Sequence, residues 1–350
     1  MSMSFSLTKS LQNTFPHAFP PFADSLSFWV LLIPQWLGLQ GDMGLALAVP
    51  VLTVLVTVYF FYSRRPRQTI WRLTKSRGPR KSANHKALII GVAHVSGHRE
   101  LDDLDAAHSD AQRIFQFLLK NGWDQDRIIK LVDTRDSPSN LRPTEANIKR
   151  SMRKLVENAR AGDELFLYVA THGFQRDCKG GDEEDLKDEL IYSCDGCEIV
   201  DNTLFDIAIK PLPKGCKMTV LFDTCSAGTG MDLPYRTDRG ISEEIMPKQL
   251  PMTSVKPKMR ESNGSVVMWA SCHDGQASLE IQVTEGNKTY KTGAFTHTFL
   301  QEFRSSEFGS DPSHRNLYGR IRNTFLEKEI PHEVQLSSSL PLNVDDRFSV

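Results

Sequence analysis

From residue 86 onward the sequence predicts an α/β fold whose central sheet is mainly parallel and covered by helices on both faces. Three observations predict it. Short, continuous apolar runs recur along the chain, as strands buried on both faces require. Amphipathic segments of helical period lie between them, the alternation that builds parallel βαβ units. Polar and reactive residues stand where the apolar runs stop, and in α/β sheets that is where sites collect. No internal repeat is present.

The elements follow in order. "KALIIGVAHV" (86–95) is the first strand. "AAHSDAQRIFQFLLKNG" puts Ala107, Ala111, Ile114, Phe115 and Leu118 on one helical face, with Gly122 as the stop signal. "IIKLVD" (128–133) is a second strand. "PTEANIKRSMRKLVENARAGD" opens a helix at Pro143 and closes at Gly162. "ELFLYVATHG" (164–173) is the third strand and runs into His172; "ELIYSCD" (189–195) is a candidate fourth. "NTLFDIAIKPL" reads as a short helix, "MTVLFDTC" (218–225) and "SVVMWASC" (265–272) as further strands. "GAFTHTFLQEF" and "NLYGRIRNTFLEKE" close the pattern as helices.

Ahead of this body the chain changes character. Residues 1–42 form an N-terminal segment, with a short apolar stretch at 27–39 broken by Pro34 that suits an interfacial or re-entrant position. Residues 43–62 carry no charged side chain. About 20 residues at 1.5 Å rise cross a hydrocarbon core of roughly 30 Å, so one transmembrane helix is expected before the globular part. Tyr59 and Tyr62 suit the interface, and "SRRPR" follows at once. The positive-inside rule then faces the C-terminal body to the cytoplasm, as a single-pass membrane protein. A cleaved signal peptide fits poorly, because the apolar run starts late and ends in arginines. Residues 63–85 read as a basic linker able to touch anionic lipid.

The net charge of −1 conceals an asymmetry: residues 63–86 hold nine Lys or Arg and no acid, which leaves residues 87–350 at about −9. An acidic body suits a basic ligand or a cation and argues against nucleic acid. Six cysteines scattered over 350 residues are no disulfide framework. The "CDGC" of 194–197 lacks the second ligand pair that zinc requires.

Two apolar strands end in reactive residues, one at His172 and one at Cys225. Parallel neighbours lie about 4.8 Å apart, so side chains at their C-terminal ends can converge. A histidine beside a cysteine can activate it, since thiolate is the nucleophile. Gly173 permits close backbone approach, and its N–H with that of Cys225 could form an oxyanion hole. A free cysteine is also a small buried hydrophobe, so spacing alone leaves packing open as its role.

At these residues the sequence resembles the metacaspases, the calcium-dependent branch of the caspase-like cysteine peptidases. The family's Ser-Gly-His-Gly stands here as "ATHG" and its Asp-Ser-Cys-His-Ser-Gly as "DTCSAG", followed by "GTGMDLPY". "GGDEEDLKDELIYSCD", "PLPKGCKMTVLFD" and "ASCHDGQASLE…GAFTHTF" match in order and spacing, so the resemblance covers about residues 86–303. It implies a caspase-like three-layer α/β/α sandwich over residues 86–350, monomeric and without an organic cofactor. Cys225 becomes the nucleophile and His172 its acid/base partner, in amide hydrolysis after arginine or lysine of protein or peptide substrates. Asp110 and Asp223 match the acids that pair a basic P1 side chain; read without the resemblance, they would equally suit a helix surface and a strand-end acceptor.

The resemblance also implies calcium, held by Asp188, Asp201, Asn202 and Asp232, a hard oxygen set. Asn202 stands where the family has aspartate, which removes one anionic ligand. Other departures are Ala170-Thr171 before the histidine, Ser226-Ala227 after the cysteine, and Ala107 where a cysteine is common. The polar loop 237–264 falls where family members can cleave themselves. The reading is thus a membrane-anchored, cytosol-facing cysteine endopeptidase. The alternative is a catalytically weak caspase-fold scaffold or regulator, which the altered neighbours of the dyad keep open. Orientation is testable from two sequons, Asn263-Gly-Ser and Asn287-Lys-Thr. In microsomes, outside protease should digest the globular part, and glycosidase should leave the band unmoved; a protected, glycosidase-sensitive product would reverse the orientation.

Overall fold

The computed structural model describes residues 84–177, 187–252, 262–304, 312–348 and 350. The chain divides into Met1–Gly78 and Pro79–Val350, and every described residue lies in the second unit. The expected membrane span at 43–62 and nearly all of the basic linker fall outside the described residues. Among those described, no helix is long and apolar enough to cross a membrane.

The central sheet has seven strands in the order β2-β1-β3-β7-β9-β12-β8. Its five parallel members are β1 (His85–Gly91), β2 (Ile128–Val132), β3 (Glu164–Ala170), β7 (Lys217–Asp223) and β9 (Ser265–Ala270). Two strands added at one edge, β12 (Gln335–Ser338) and β8 (Tyr235–Arg236), run antiparallel. The continuous apolar runs arise because alternate residues feed two cores. Leu88 and Ile90 of β1 enter one core with Val169, Val220, Phe222 and Met268, whereas Ala87 and Ile89 enter the other with Phe166, Tyr168, Leu221 and Trp269.

Helices close both faces. α1 (Ala107–Lys120), α4 (Ala294–Arg304) and α5 (His314–Glu327) cover the Tyr168 and Trp269 side. α2 (Glu145–Val156) and α3 (Asp201–Leu204) cover the Val169 and Phe222 side, α3 passing into a π-helical turn at Phe205–Ile209. The expected three-layer α/β/α arrangement is therefore the one observed. α2 starts where Thr144 accepts the Asn147 N–H at 3.3 Å, a cap of the kind worth about 0.5–2 kcal/mol. It ends at Val156, short of Gly162, which serves the turn into β3 with φ +91°. On α1, Phe117 takes the core place expected of Phe115, and Asp110 lies buried beside it.

One expected strand is reassigned. The segment at 189–195 does not extend the main sheet. β5 (Lys187–Tyr192) pairs antiparallel with β4 (Gly173–Asp177) and β6 (Glu198–Val200) in a separate three-stranded sheet. A parallel strand needs a crossover connection, and β4 instead meets β5 antiparallel, from Gly173 opposite Ile191 to Asp177 opposite Lys187. Strands β4, β6, β8 and β12 were not foreseen, nor was the hairpin of β10 (Glu280–Glu285) and β11 (Lys288–Gly293), whose mostly polar residues give no apolar signal. Asn287 lies at its turn, and both Asn287 and Asn263 are exposed.

Candidate active site

β3 and β7 pair in register, ending at Ala170 opposite Asp223. His172 and Cys225 each stand two residues further on, so both leave the sheet at the same level from adjacent strands. The Gly173 backbone packs against that of Cys225. A Cβ built on Gly173 would lie 2.2 Å from the Cys225 carbonyl oxygen and 3.0 Å from Thr224 Oγ1, so no side chain fits there. The hairpin holds the histidine from the far side, through Tyr192 N–H to His172 O at 3.1 Å and Thr171 Oγ1 to Tyr192 O at 2.8 Å.

The His172 ring donates from Nε2 to the Asp102 carbonyl oxygen at 2.7 Å. A carbonyl can only accept, so this contact puts the proton on Nε2 and leaves Nδ1 as the basic nitrogen. Cys225 is half-buried, and its Sγ lies 3.9 Å from the Ser278 carbonyl. Burial pushes the Cys225 thiol up from the ordinary cysteine value, and the nearby Asp223 charge adds to the rise. The thiol and the imidazole are thus each held by a third residue. Ser226, next in the chain, adopts the left-handed conformation at φ +49° and donates its N–H to Gln276 O at 2.9 Å. The Cys225 N–H meets no acceptor among the described residues. Gly173 follows His172 directly, paired with Ile191 of β5.

Asp110 and Asp223 come together although they are far apart in sequence. A Cβ on Gly293 would lie 2.4 Å from Asp223 Oδ2 and 3.3 Å from Asp110 Oδ2. Asp223 accepts from Ser278 Oγ at 2.8 Å and Thr296 Oγ1 at 2.6 Å. Asp110 accepts from the Gly293 N–H at 2.6 Å and Thr292 Oγ1 at 2.7 Å. Burial, reinforced by the Asp223 charge, pushes the Asp110 carboxyl up to about 7. Reading the sequence alone missed the residues that build this cradle. Arg113 Nη1 lies 3.2 Å from Asp110 Oδ1 and 2.6 Å from Thr292 Oγ1, and Nη2 lies 3.2 Å from His297 Nδ1. Arg113 follows Asp110 at the i,i+3 spacing, a signal that was available; Ser278, Thr292 and Thr296 offered none.

The acidic residues divide. The run 182–186 lies outside the described residues. Asp188 is buried on β5, with Oδ2 3.5 Å from Arg176 Nε and Oδ1 without a partner. Asp201 is fully buried and accepts the Glu189 N–H at 3.1 Å and the N–H of Asn202, whose own Oδ1 is buried and unpartnered. Asp232 is buried in the turn after Cys225 at φ +52°, its N–H donating to Thr229 O at 2.7 Å. Glu189, next in the chain to Asp188, thus ties β5 to Asp201 at the start of α3. Glu189 was also missed: it is buried beside Gln175, and burial together with the Asp274 charge raises its carboxyl pKa. Among the described residues, no group of three or more His, Cys, Asp or Glu is arranged to hold a metal ion.

A thiol and an imidazole at adjacent strand ends of an α/β/α sandwich define a chain of the caspase-like class. Its fold is shared with a solved protein from Geobacter sulfurreducens, at 19% identity and a TM-score of 0.52, over 75% of this chain and 97% of that one. Residues 85–234, which include both His172 and Cys225, match the family described as metacaspase, peptidase C14 domain. Metacaspase-1 of Saccharomyces cerevisiae is 39% identical over 310 residues, covering 76% of this chain and 69% of its own length. The chain belongs to the metacaspase family. Metacaspase-1 of Cryptococcus neoformans is 29% identical over 75% of this chain, and Metacaspase-1A of Neurospora crassa 30% over 76%. The aligned region spans 64% and 65% of those two proteins, slightly under two thirds of their length.

The raised thiol pKa predicts low intrinsic reactivity. At pH 7 a raised value means less thiolate than in a free cysteine. Iodoacetamide labelling followed at Cys225 by mass spectrometry should be slower than for glutathione at neutral pH and should climb with pH. Faster labelling than glutathione at pH 7 would show a thiolate already paired with His172.

Proposed function

We propose that this metacaspase is a cysteine endopeptidase that cleaves after arginine or lysine, anchored in a membrane by residues 43–62 and facing the cytoplasm. The observation that carries the chemistry is the in-register placement of His172 and Cys225 on β3 and β7, with Gly173 packed against the Cys225 backbone. The uncharged run followed by "SRRPR" supports the anchor and its orientation.

The steps follow from the geometry. His172 Nδ1 takes the thiol proton, because Nε2–H is committed to Asp102. The sulfur, released from Ser278 O, attacks the scissile carbonyl carbon. The N–H groups of Gly173 and Cys225 stabilise the oxyanion, and each such donor is typically worth about 2.7–4 kcal/mol. The imidazolium gives its proton to the leaving amine, and a thioester remains on Cys225. Water, deprotonated by His172, then hydrolyses it and restores the thiol.

The cradle that joins Asp110 and Asp223 supports a basic P1 side chain. Asp110, whose ionisation burial and the Asp223 charge oppose, is relieved by an arriving cation. Peptides with Arg or Lys before the scissile bond should therefore be cleaved, and Cys225→Ala should reduce turnover by roughly 10⁴-fold or more. Equal turnover by that variant would remove the nucleophile assignment and favour the scaffold reading. Because Asp110 binds a cation only when ionised, KM should fall as pH rises through about 7, and Asp110→Asn should abolish that trend.

Calcium is proposed as the regulatory ion. The donors fit a hard cation: carboxylates and an amide oxygen, with Asp188 Oδ1 and Asn202 Oδ1 buried and unpartnered. Asp188, Asp201, Asn202 and Asp232 would hold it, and the ion would supply charge that ties β5 and α3 to the turn after Cys225. Calcium at 100 times its Kd should stabilise the fold by about 2.7 kcal/mol, read by calorimetry as a raised Tm. Asn202→Asp should tighten binding. A Tm unmoved by millimolar calcium would leave these acids as structural residues only.

A further inference from the structure

A row of four rings leads away from the candidate catalytic imidazole. The Phe174 centroid lies 6.4 Å from that of His172, Tyr192 stands edge-on to Phe174 at 5.6 Å, and His98 lies 4.7 Å from Tyr192. A single exposed apolar side chain needs no explanation. Here Phe174 is 41% exposed within a contiguous row that starts at His172. The row is braced from behind. Tyr192 Oη donates to Glu198 Oε1 at 3.3 Å, and His98 contacts Gly196 O at 3.2 Å through Nε2 and Glu100 at 2.9 Å through Nδ1. The charged groups on its rim are already paired with one another, Arg176 with Glu198 and His98 with Glu100.

Position within the fold says what the row can meet. The small sheet that carries Phe174 and Tyr192 packs through Ile191 and Ile199 on the Val169 and Phe222 face. Asp110 sits on α1, which covers the opposite face. In amide hydrolysis the acyl half stays on sulfur, and the amine half departs with the proton from the imidazole. A line from the Asp110/Asp223 cradle through Cys225 to His172 therefore runs from the acyl half to the leaving half. Continued past His172, it reaches the rings.

We propose that Phe174 and Tyr192, backed by His98, form a subsite for the substrate side chain that follows the scissile bond, and that it takes a bulky apolar or aromatic residue. The rings offer a flat apolar surface, and among the described residues the rim charges Arg176, Glu198, His98 and Glu100 are paired with one another. This rests on the peptidase reading above, whose basic P1 preference is set on the other side of the dyad.

The test uses the full-length protein and internally quenched peptides with Arg before the bond, varied only at the next position. The readout is the ratio of kcat/KM for the Phe peptide over the Gly peptide. Ring contacts of this kind make the expected ratio about tenfold for the natural chain. Phe174→Ala should bring it to within about twofold and Phe174→Tyr should restore it, with Tm measured to establish that both variants fold. A flat profile in the natural chain overturns the subsite, as does Phe174→Ala lowering both peptides equally. Cleavage that still requires Arg or Lys but ignores the next residue removes the subsite alone. No cleavage of any basic peptide removes the peptidase reading and the subsite with it.

Discussion

Parallel pairing of β3 with β7 is the constraint on which the site depends. Seven backbone pairs, from Glu164 with Lys217 to Ala170 with Asp223, set the two strands level. A slip of one residue would exchange the two faces of a strand, sending Val169 and Phe222 to the Trp269 side. Because both faces are buried, such a slip would misplace an entire core layer, so the register is strongly specified. His172 and Cys225 inherit that precision without contacting one another. Gly173 completes it, since any side chain there would collide with the Cys225 carbonyl and push the hairpin off the thiol.

The same sheet explains how two acids can sit together away from water. Asp223 ends a central strand, and Asp110 faces it from the first turn of α1. Burial of both is costly, and the cost shows in the raised Asp110 pKa. Hydroxyls of Ser278, Thr292 and Thr296, the Gly293 N–H and the Arg113 guanidinium offset it. Ser278 also links the two halves of the site, with its hydroxyl on Asp223 and its carbonyl facing the Cys225 thiol.

The antiparallel sheet β4–β6 does on the other face what the cradle does on this one. It fixes His172 from behind, brings Asp188 and Asp201 into one corner, and lays Phe174 and Tyr192 beside the imidazole. A change at the acidic corner is therefore only a few hydrogen bonds from the dyad.

The strands of the parallel sheet were legible in the sequence because burial on both faces leaves continuous apolar runs such as "ALIIG" and "ELFLYVA". His172 and Cys225 were legible because they interrupt such runs, and the family motifs around them are local. What the sequence alone determined was therefore whatever is written in neighbouring residues: strand identity, helix period, a helix opening near Pro143, and the two reactive side chains. The pairing partner of each strand was not among these, which is why Lys187–Tyr192 went to the smaller sheet and β12 and β8 were missed. Nor were contacts between residues more than a hundred positions apart, such as Asp110 with Gly293 or Tyr168 with Thr296. Hydrogen bonds of that kind leave no periodic trace in sequence, because any Ser, Thr or glycine N–H can make them. Only the packed sheet decides which ones do.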